Sequence, residues 1–185
     1  MTDTLLFLRQ LISRPKQVSA IAPSSRYLAR AMARDLGPAT GRVVEFGPGT
    51  GRLTQGILDA GVKATDLTLF EMSDDFVSHL RGHFPGVTVH LGGAQTAPDH
   101  VAPGVGAVIS GLPLLSMPLD LRESIVKAAF DVLAPDGIYV QFTYGPRAPI
   151  SDDQIARLGL TYAQTAYVLF NLPPARVFTF RRASV

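Results

Sequence analysis

Cysteine is absent from the 185 residues. A disulfide framework, a thiolate zinc site and a cysteine nucleophile are excluded together. Charge is scarce: Asp, Glu, Lys and Arg make up 17% of the chain against 46% hydrophobic residues, which is apolar for a soluble protein of this length. Long apolar runs are missing too, since none approaches the roughly 18 residues that a bilayer-spanning helix needs. Thr4–Ile12 is apolar but is followed by no small-residue cleavage site, so it does not read as a secretory signal. Histidine occurs four times. His79 and His83 share a metal-ligand spacing on one helix face, but no third ligand accompanies them and His90 and His100 have no evident partner, so no metal is expected. A cytoplasmic protein is the default, and the length suits one domain over 1–185.

The formal net charge of +2 is unevenly placed. Arg9, Arg14, Lys16, Arg26, Arg30 and Arg34 face only Asp3 and Asp35 through Leu36, which leaves the remainder slightly acidic. Such a block either meets an anionic partner or is a solvated helix face. Two helices are expected there. Over Leu5–Ile12, Leu5, Phe7, Leu8, Leu11 and Ile12 form one apolar arc, with Arg9, Gln10, Ser13 and Arg14 opposite. That arc is too short to span a bilayer; it suits burial at the headgroup boundary, or packing on the protein's own sheet. The second helix runs from about Ser25 to Leu36, capped by Ser24 or Ser25 and stopped by Gly37-Pro38.

From Arg42 the pattern alternates. Strands are predicted at Arg42–Phe46, Asp66–Glu71, Val87–Leu91, Val105–Ser110 and Ile138–Thr143. Helices are predicted at Arg52–Ala60, Asp74–His83 and Asp120–Leu133, with a turn at Pro135-Asp136-Gly137. This alternation argues a parallel sheet with right-handed crossovers. After Pro149 it stops: Leu160–Phe170 and Arg176–Arg182 read as a hairpin around Asn171-Leu-Pro-Pro174.

Glu45-Phe-Gly47-Pro48-Gly49-Thr50-Gly51 is the most informative stretch. A strand running into three glycines and then a helix lets backbone approach a ligand where a Cβ would clash. In open α/β sheets ligands lie outside the carboxyl ends of the strands. The spacing G-x-G-x-G differs from the G-x-G-x-x-G that cradles a pyrophosphate. Glu45 would repel a pyrophosphate but would suit the cationic methionine moiety of S-adenosylmethionine. Glu71 ends the second strand about 20 residues on, where a ribose-binding acid belongs. A glycine loop that only turns the chain is the alternative; strand, turn, helix, strand and acid in register weigh against it.

The chain resembles the small bacterial phospholipid N-methyltransferases, which convert phosphatidylethanolamine stepwise towards phosphatidylcholine. The resemblance rests on Ile21-Ala-Pro-Ser-Ser25, the glycine turn, Ser110-Gly-Leu-Pro-Leu-Leu115, Gln141-Phe-Thr-Tyr-Gly-Pro146 and Asn171-Leu-Pro-Pro-Ala-Arg-Val177. The glycine turn is shared by all class I methyltransferases, so the other four stretches carry the family-level likeness. It implies a Rossmann-like α/β sheet, mostly parallel with an antiparallel C-terminal hairpin, helices on both faces and N-terminal helices before it.

The resemblance also implies S-adenosylmethionine as methyl donor, S-adenosylhomocysteine as product, and no metal. Glu45, Gly47, Pro48, Gly49, Thr50, Gly51, Glu71, Met72, Gly93, Ala94 and Ser110 would line the cofactor. Tyr27, Tyr144 and the Ser110 and Gly111 oxygens would meet the acceptor amine, with Phe142 a further candidate wall. Arg26, Leu112, Asn171 and Arg176 would hold the rest of the headgroup. Residues 1–36 become a basic, membrane-surface extension over the substrate, and 37–185 the cofactor-binding core. The implied partners are membrane phospholipid and the anionic inner face of the cytoplasmic membrane, not nucleic acid.

Two departures from the class stand out. Gly93 occupies the place where an acid often pairs with the adenine amino group, leaving backbone or Gln95 to serve. Ser110-Gly-Leu-Pro113 replaces the Asn/Asp/Ser-Pro-Pro-aromatic stretch of amine-methylating members. Ornithine lipid is the alternative headgroup. RNA or protein methylation, with the N-terminal arginines on phosphates, is the alternative acceptor class. A membrane-associated protein that only holds the cofactor is the alternative outside catalysis.

Overall fold

The computed structural model describes residues 25–183. The expected helix at Leu5–Ile12 and the Ile21–Ser24 stretch lie outside them. The first element is α1 (Arg26–Met32), begun by Ser25, whose hydroxyl accepts from the Leu28 amide at 3.2 Å. Four βα repeats and a fifth strand follow as β1 (Val43–Phe46), α2 (Arg52–Asp59), β2 (Leu67–Glu71), α3 (Asp74–His83), β3 (Thr88–Leu91), α4 (Ala97–His100), β4 (Val105–Ser110), α5 (Leu119–Val132) and β5 (Leu133–Thr143). Then come α6 (Asp152–Arg157), β6 (Leu160–Val168) and β7 (Ala175–Arg182).

The seven strands form one sheet in the order β3-β2-β1-β4-β5-β7-β6. The first five are parallel, and β7 runs antiparallel to both β5 and β6. The mostly parallel sheet and terminal hairpin expected from the sequence are both present. Chain order reverses direction across β1, between β2 and β4, so a crevice opens beyond the carboxyl ends of β1 and β4.

Alternating strand residues build a core on each face. Val44, Phe46, Val108, Tyr139, Phe178 and Phe180 pack with Leu121, Ile125 and Ala129 of α5. Val43, Ala107, Ile109, Val140 and Val177 pack the other way, against Leu28 and Met32 of α1, Leu53 and Ile57 of α2, and Val77 and Leu80 of α3. Strands buried on both faces read as unbroken apolar runs, which is how β4 shows in the sequence.

The structure corrects several boundaries. The helix expected over Ser25–Leu36 ends at Met32; the Leu36 amide bonds back to the Ala33 carbonyl, three residues away, and the chain tightens into a turn. Pro135-Asp136-Gly137 is not a free turn but a bulge within β5, whose pairing jumps from Val105–Leu133 to Ala107–Ile138. Leu169 and Phe170 lie beyond β6, in the hairpin tip. Helix α6 was unforeseen, although Ser151 and Gln154 form a capping box. Among the described residues, no helix is long and apolar enough to cross a membrane.

Candidate active site

The glycine turn hangs between its two neighbouring strands. The Gly47 amide donates to the Phe70 carbonyl at 3.0 Å, and the Gly111 amide to the Phe46 carbonyl at 2.8 Å. The three glycines do different work. Gly47, at φ +68°, lies under Leu112, whose Cδ2 stands 2.5 Å from where a Cβ would be. Gly49, at φ +54°, faces open space, with nothing within 4 Å of that point. Gly51 turns inward: an added Cβ would sit 2.4 Å from the Phe84 ring. Its amide and carbonyl are used by Pro48 and Gln55. Gly51, expected at the cofactor, therefore lets α2 pack closely on the sequence after α3, and Gly49 keeps the ligand face clear. Pro48 is buried, and Thr50 is exposed at the head of α2.

Two carboxylates bracket the turn. Glu45 is fully buried; its Oε2 accepts from the Thr54 hydroxyl at 2.7 Å, and among the described residues its Oε1 has no partner. Burial pushes its pKa up to about 8, with the nearby Glu71 adding to the rise and Thr54 opposing it. A buried carboxylate oxygen left without a donor fits a cationic ligand group. Glu71 braces the loops: Oε2 accepts from the Gly49 amide at 3.0 Å, and Oε1 from the Met72 and Ser73 amides at 2.8 and 2.9 Å. Oε1 is filled by its two amides, whereas Oε2 accepts one and keeps room for a ribose hydroxyl, and the same carboxylate fixes the shape of the turn.

Beyond β3, Gly93 and Ala94 are buried and Met72 is half-buried. The Gln95 side-chain amide folds over Gly93, so close that a Cβ there would lie 2.4 Å from its Oε1. Gln95, one of the two groups expected to serve there, thus lies over the position where the class often carries an acid. His90 and His100 do have partners: their rings lie 4.7 Å apart, with Phe70 stacked on His90 at 5.1 Å. His79 and His83 stack on each other at 5.5 Å. Among the described residues, no cluster of three His, Cys, Asp or Glu side chains could hold a metal ion.

At the end of β4, Ser110 is fully buried and Gly111 and Leu112 are half-buried. The loop is positioned by a residue that opens one of the family-like stretches but was given no role there. Gln141 of β5, also fully buried, donates from Nε2 to the Leu112 carbonyl at 2.9 Å and receives the Tyr139 hydroxyl on Oε1 at 2.8 Å. A glutamine inside an otherwise apolar strand was the available signal. Thr54, in the first turn of α2 after the glycines, was missed in the same way.

The remaining acceptor-side candidates gather at one corner beside the end of β5. Asn171, in the β6–β7 loop, is buried; its Oδ1 accepts from the Ser25 amide at 3.0 Å and its Nδ2 donates to the Pro173 carbonyl at 2.8 Å. Tyr144 is half-buried, and among the described residues its hydroxyl has no hydrogen-bond partner. Burial raises its pKa, against a smaller lowering by the adjacent Asn171. Phe142, expected as a possible site wall, is buried in the core and meets Tyr144 edge-on at 5.3 Å. Arg176 donates to the Gly145 carbonyl at 3.3 Å, with its guanidinium 4.7 Å from the Tyr167 ring centre. Tyr27 is exposed, receives a hydrogen bond from Arg26 at 3.0 Å and packs 5.5 Å from Phe170. Arg26 and Tyr27 thus belong to the outer rim, while Tyr144 and Arg176 sit where β5 delivers the chain to the crevice.

Sheet order, glycine turn and paired carboxylates together define the class I methyltransferase fold. Over 97% of its length the chain superposes on Burkholderia thailandensis 1,6-didemethyltoxoflavin-N1-methyltransferase, a structure with bound S-adenosylhomocysteine, at TM-score 0.68 and 14% identity, covering 88% of that chain. No family model matches the sequence. The ornithine lipid N-methyltransferase of Singulisphaera acidiphila is 31% identical over 154 residues, 79% of this chain and 80% of that one. Ribosomal RNA small subunit methyltransferase A of a Synechococcus strain is 38% identical, but over 80 residues, 40% of this chain and 28% of that one. The chain belongs, with the first of these relatives, to the class I S-adenosylmethionine-dependent methyltransferase family. Its cofactor is S-adenosylmethionine.

Proposed function

We infer that the protein methylates the amine of a membrane-lipid headgroup. One observation carries this reading: likeness to a lipid N-methyltransferase runs along four-fifths of both chains, whereas likeness to the ribosomal RNA enzyme covers only 80 residues. The acceptor corner agrees with it. Phosphatidylethanolamine joins an amine to a phosphate and ornithine lipid joins one to a carboxylate, so either offers a guanidinium an anion within reach of the nitrogen. Arg176 supplies a guanidinium beside the end of β5 through its bond to Gly145.

The cofactor supplies an electrophilic methyl group. Glu45 would face its positive charge, Glu71 its ribose and Gln95 its adenine, and the open face of Gly49 would admit its methionine backbone. The acceptor nitrogen must arrive neutral, and a half-buried corner favours the neutral amine over the ammonium. Backbone oxygens of Ser110 and Gly111, held in place through Gln141, and the face of Tyr144 would stabilise the positive charge that develops on nitrogen. The protein would work at the inner face of the cytoplasmic membrane, with residues 1–36 as a basic surface-binding extension.

Purified protein, labelled S-adenosylmethionine and three acceptors test this reading: vesicles containing phosphatidylethanolamine, vesicles containing ornithine lipid, and ribosomal RNA. Label in either lipid, increasing with pH as the amine deprotonates, is the expected result. Label in RNA with neither lipid methylated would overturn it.

A further inference from the structure

The geometry points to the β6–β7 tip as a membrane-inserting wedge that seats the acceptor corner on the bilayer. Leu169, Phe170 and Leu172 are 64%, 78% and 79% exposed. The loop that carries them is braced: Asn171, between Phe170 and Leu172, is buried and bonded to both the start of α1 and Pro173. The tip turns its amide inward and its apolar side chains outward, the reverse of what water selects.

Placement gives this reversal a use. The last pair between β5 and β7 is Thr143 with Arg176, so the tip projects beyond the carboxyl end of β5, at the crevice edge of the sheet. Arg26 stands at its base, stacked on Tyr27, which in turn touches Phe170. Arg30 is one turn further along α1, and Arg176 opens β7. Neither 25–34, 137–151 nor 158–185 contains an Asp or Glu. Apolar side chains at the point, arginines behind them and no carboxylate in these three stretches match a leaflet of hydrocarbon under anionic headgroups. Three side chains on a narrow loop are too little for a stable protein interface, which takes about 800 Å² per partner.

This inference deepens the lipid-headgroup reading and rests on it for its purpose, but its test stands apart. The chain has no tryptophan, so Phe170→Trp makes a single reporter at the tip. In the full-length protein without lipid its emission should be that of an exposed indole. With phosphatidylglycerol-containing vesicles it should shift to the blue and be quenched by bromine carried on the acyl chains, and salt should weaken the effect. Phe170→Ser with Leu172→Ser should lower vesicle binding at least about tenfold. Cofactor affinity and methylation of a short-chain, monomeric lipid acceptor should stay near wild type. Emission already blue in buffer and unchanged by vesicles would overturn the wedge, showing the tip covered by residues 1–24 or by a second copy. Vesicle binding unchanged by the double substitution would overturn it as well. Insertion seen while no lipid is methylated in any form would leave the wedge standing and remove the lipid-acceptor reading instead.

Discussion

At the scale of single residues, Glu45 ties the site to pH. Its carboxyl titrates at about 8 in the folded protein against an ordinary 4.5, because it is buried. Between those values the folded chain holds a proton that the unfolded chain releases. Stability must therefore fall as pH rises through that window, by at most about 1.4 kcal/mol per pH unit from this group. Glu45→Gln should match wild type near the bottom of the window and exceed it above pH 8, as read by urea melts. A cationic cofactor pulls the other way by favouring the carboxylate. Its binding at pH 7 should expel up to one proton, measured by calorimetry in buffers of differing ionisation enthalpy. The Gln variant should expel none and bind more weakly. Proton-neutral binding by wild type would show that Glu45 does not face the cation.

The glycines give a paired expectation. Gly51→Ala forces a methyl group into Phe84 from a left-handed backbone and should cost about 2–4 kcal/mol of stability. Gly49→Ala meets only open space, so it should cost about 1 kcal/mol from backbone strain while weakening the cofactor more than tenfold. Melting curves beside titrations separate the two. Tyr144→Phe removes a buried hydroxyl that has no partner among the described residues, so the fold should hold or gain slightly. If the ring stabilises the developing ammonium, Phe keeps more activity than Ala; equal losses in both would assign the role to the hydroxyl.

Elements show what the sequence could and could not disclose. Helix α3 is where Ser73 and the following pattern put it, because its cap and its apolar stripe agree. Strand β4 is recognisable as an apolar run because both its faces are covered. The end of α1 was not readable from Gly37-Pro38: the stop lies at Met32, where a three-residue backbone bond, which no residue type announces, closes the turn. The candidate site divides the same way. Glu45, Glu71 and the glycine turn are local to two strand ends and are legible from spacing. Gln141 reaching the β4 loop, Gln95 folding over Gly93 and Asn171 reaching Ser25 depend on where side chains turn once strands are paired. Asn171 links α1 to the hairpin across 146 positions of sequence. Asn171→Ala should cost about 1–2 kcal/mol and raise the KM for lipid, leaving cofactor affinity unchanged; a matching loss of cofactor affinity would show that the corner and the crevice are one unit.

For the whole molecule, the antiparallel β7 has a consequence for orientation. The strand starts at the crevice edge and ends eight residues later beside β6 at the opposite edge, where the Ala183 amide bonds to the Gly159 carbonyl. Eight residues of strand span roughly 25 Å. With the tip in the leaflet, Ala183 can stand up to that distance, roughly 25 Å, from the leaflet surface, on the side facing solution. A fluorescent donor joined after β7 should transfer little energy to a short-range acceptor dye in the headgroup layer, while one placed at Phe170 should transfer strongly. The chain would then carry its own ruler: one strand that measures how far the end of β7 can rise above the leaflet that holds the tip.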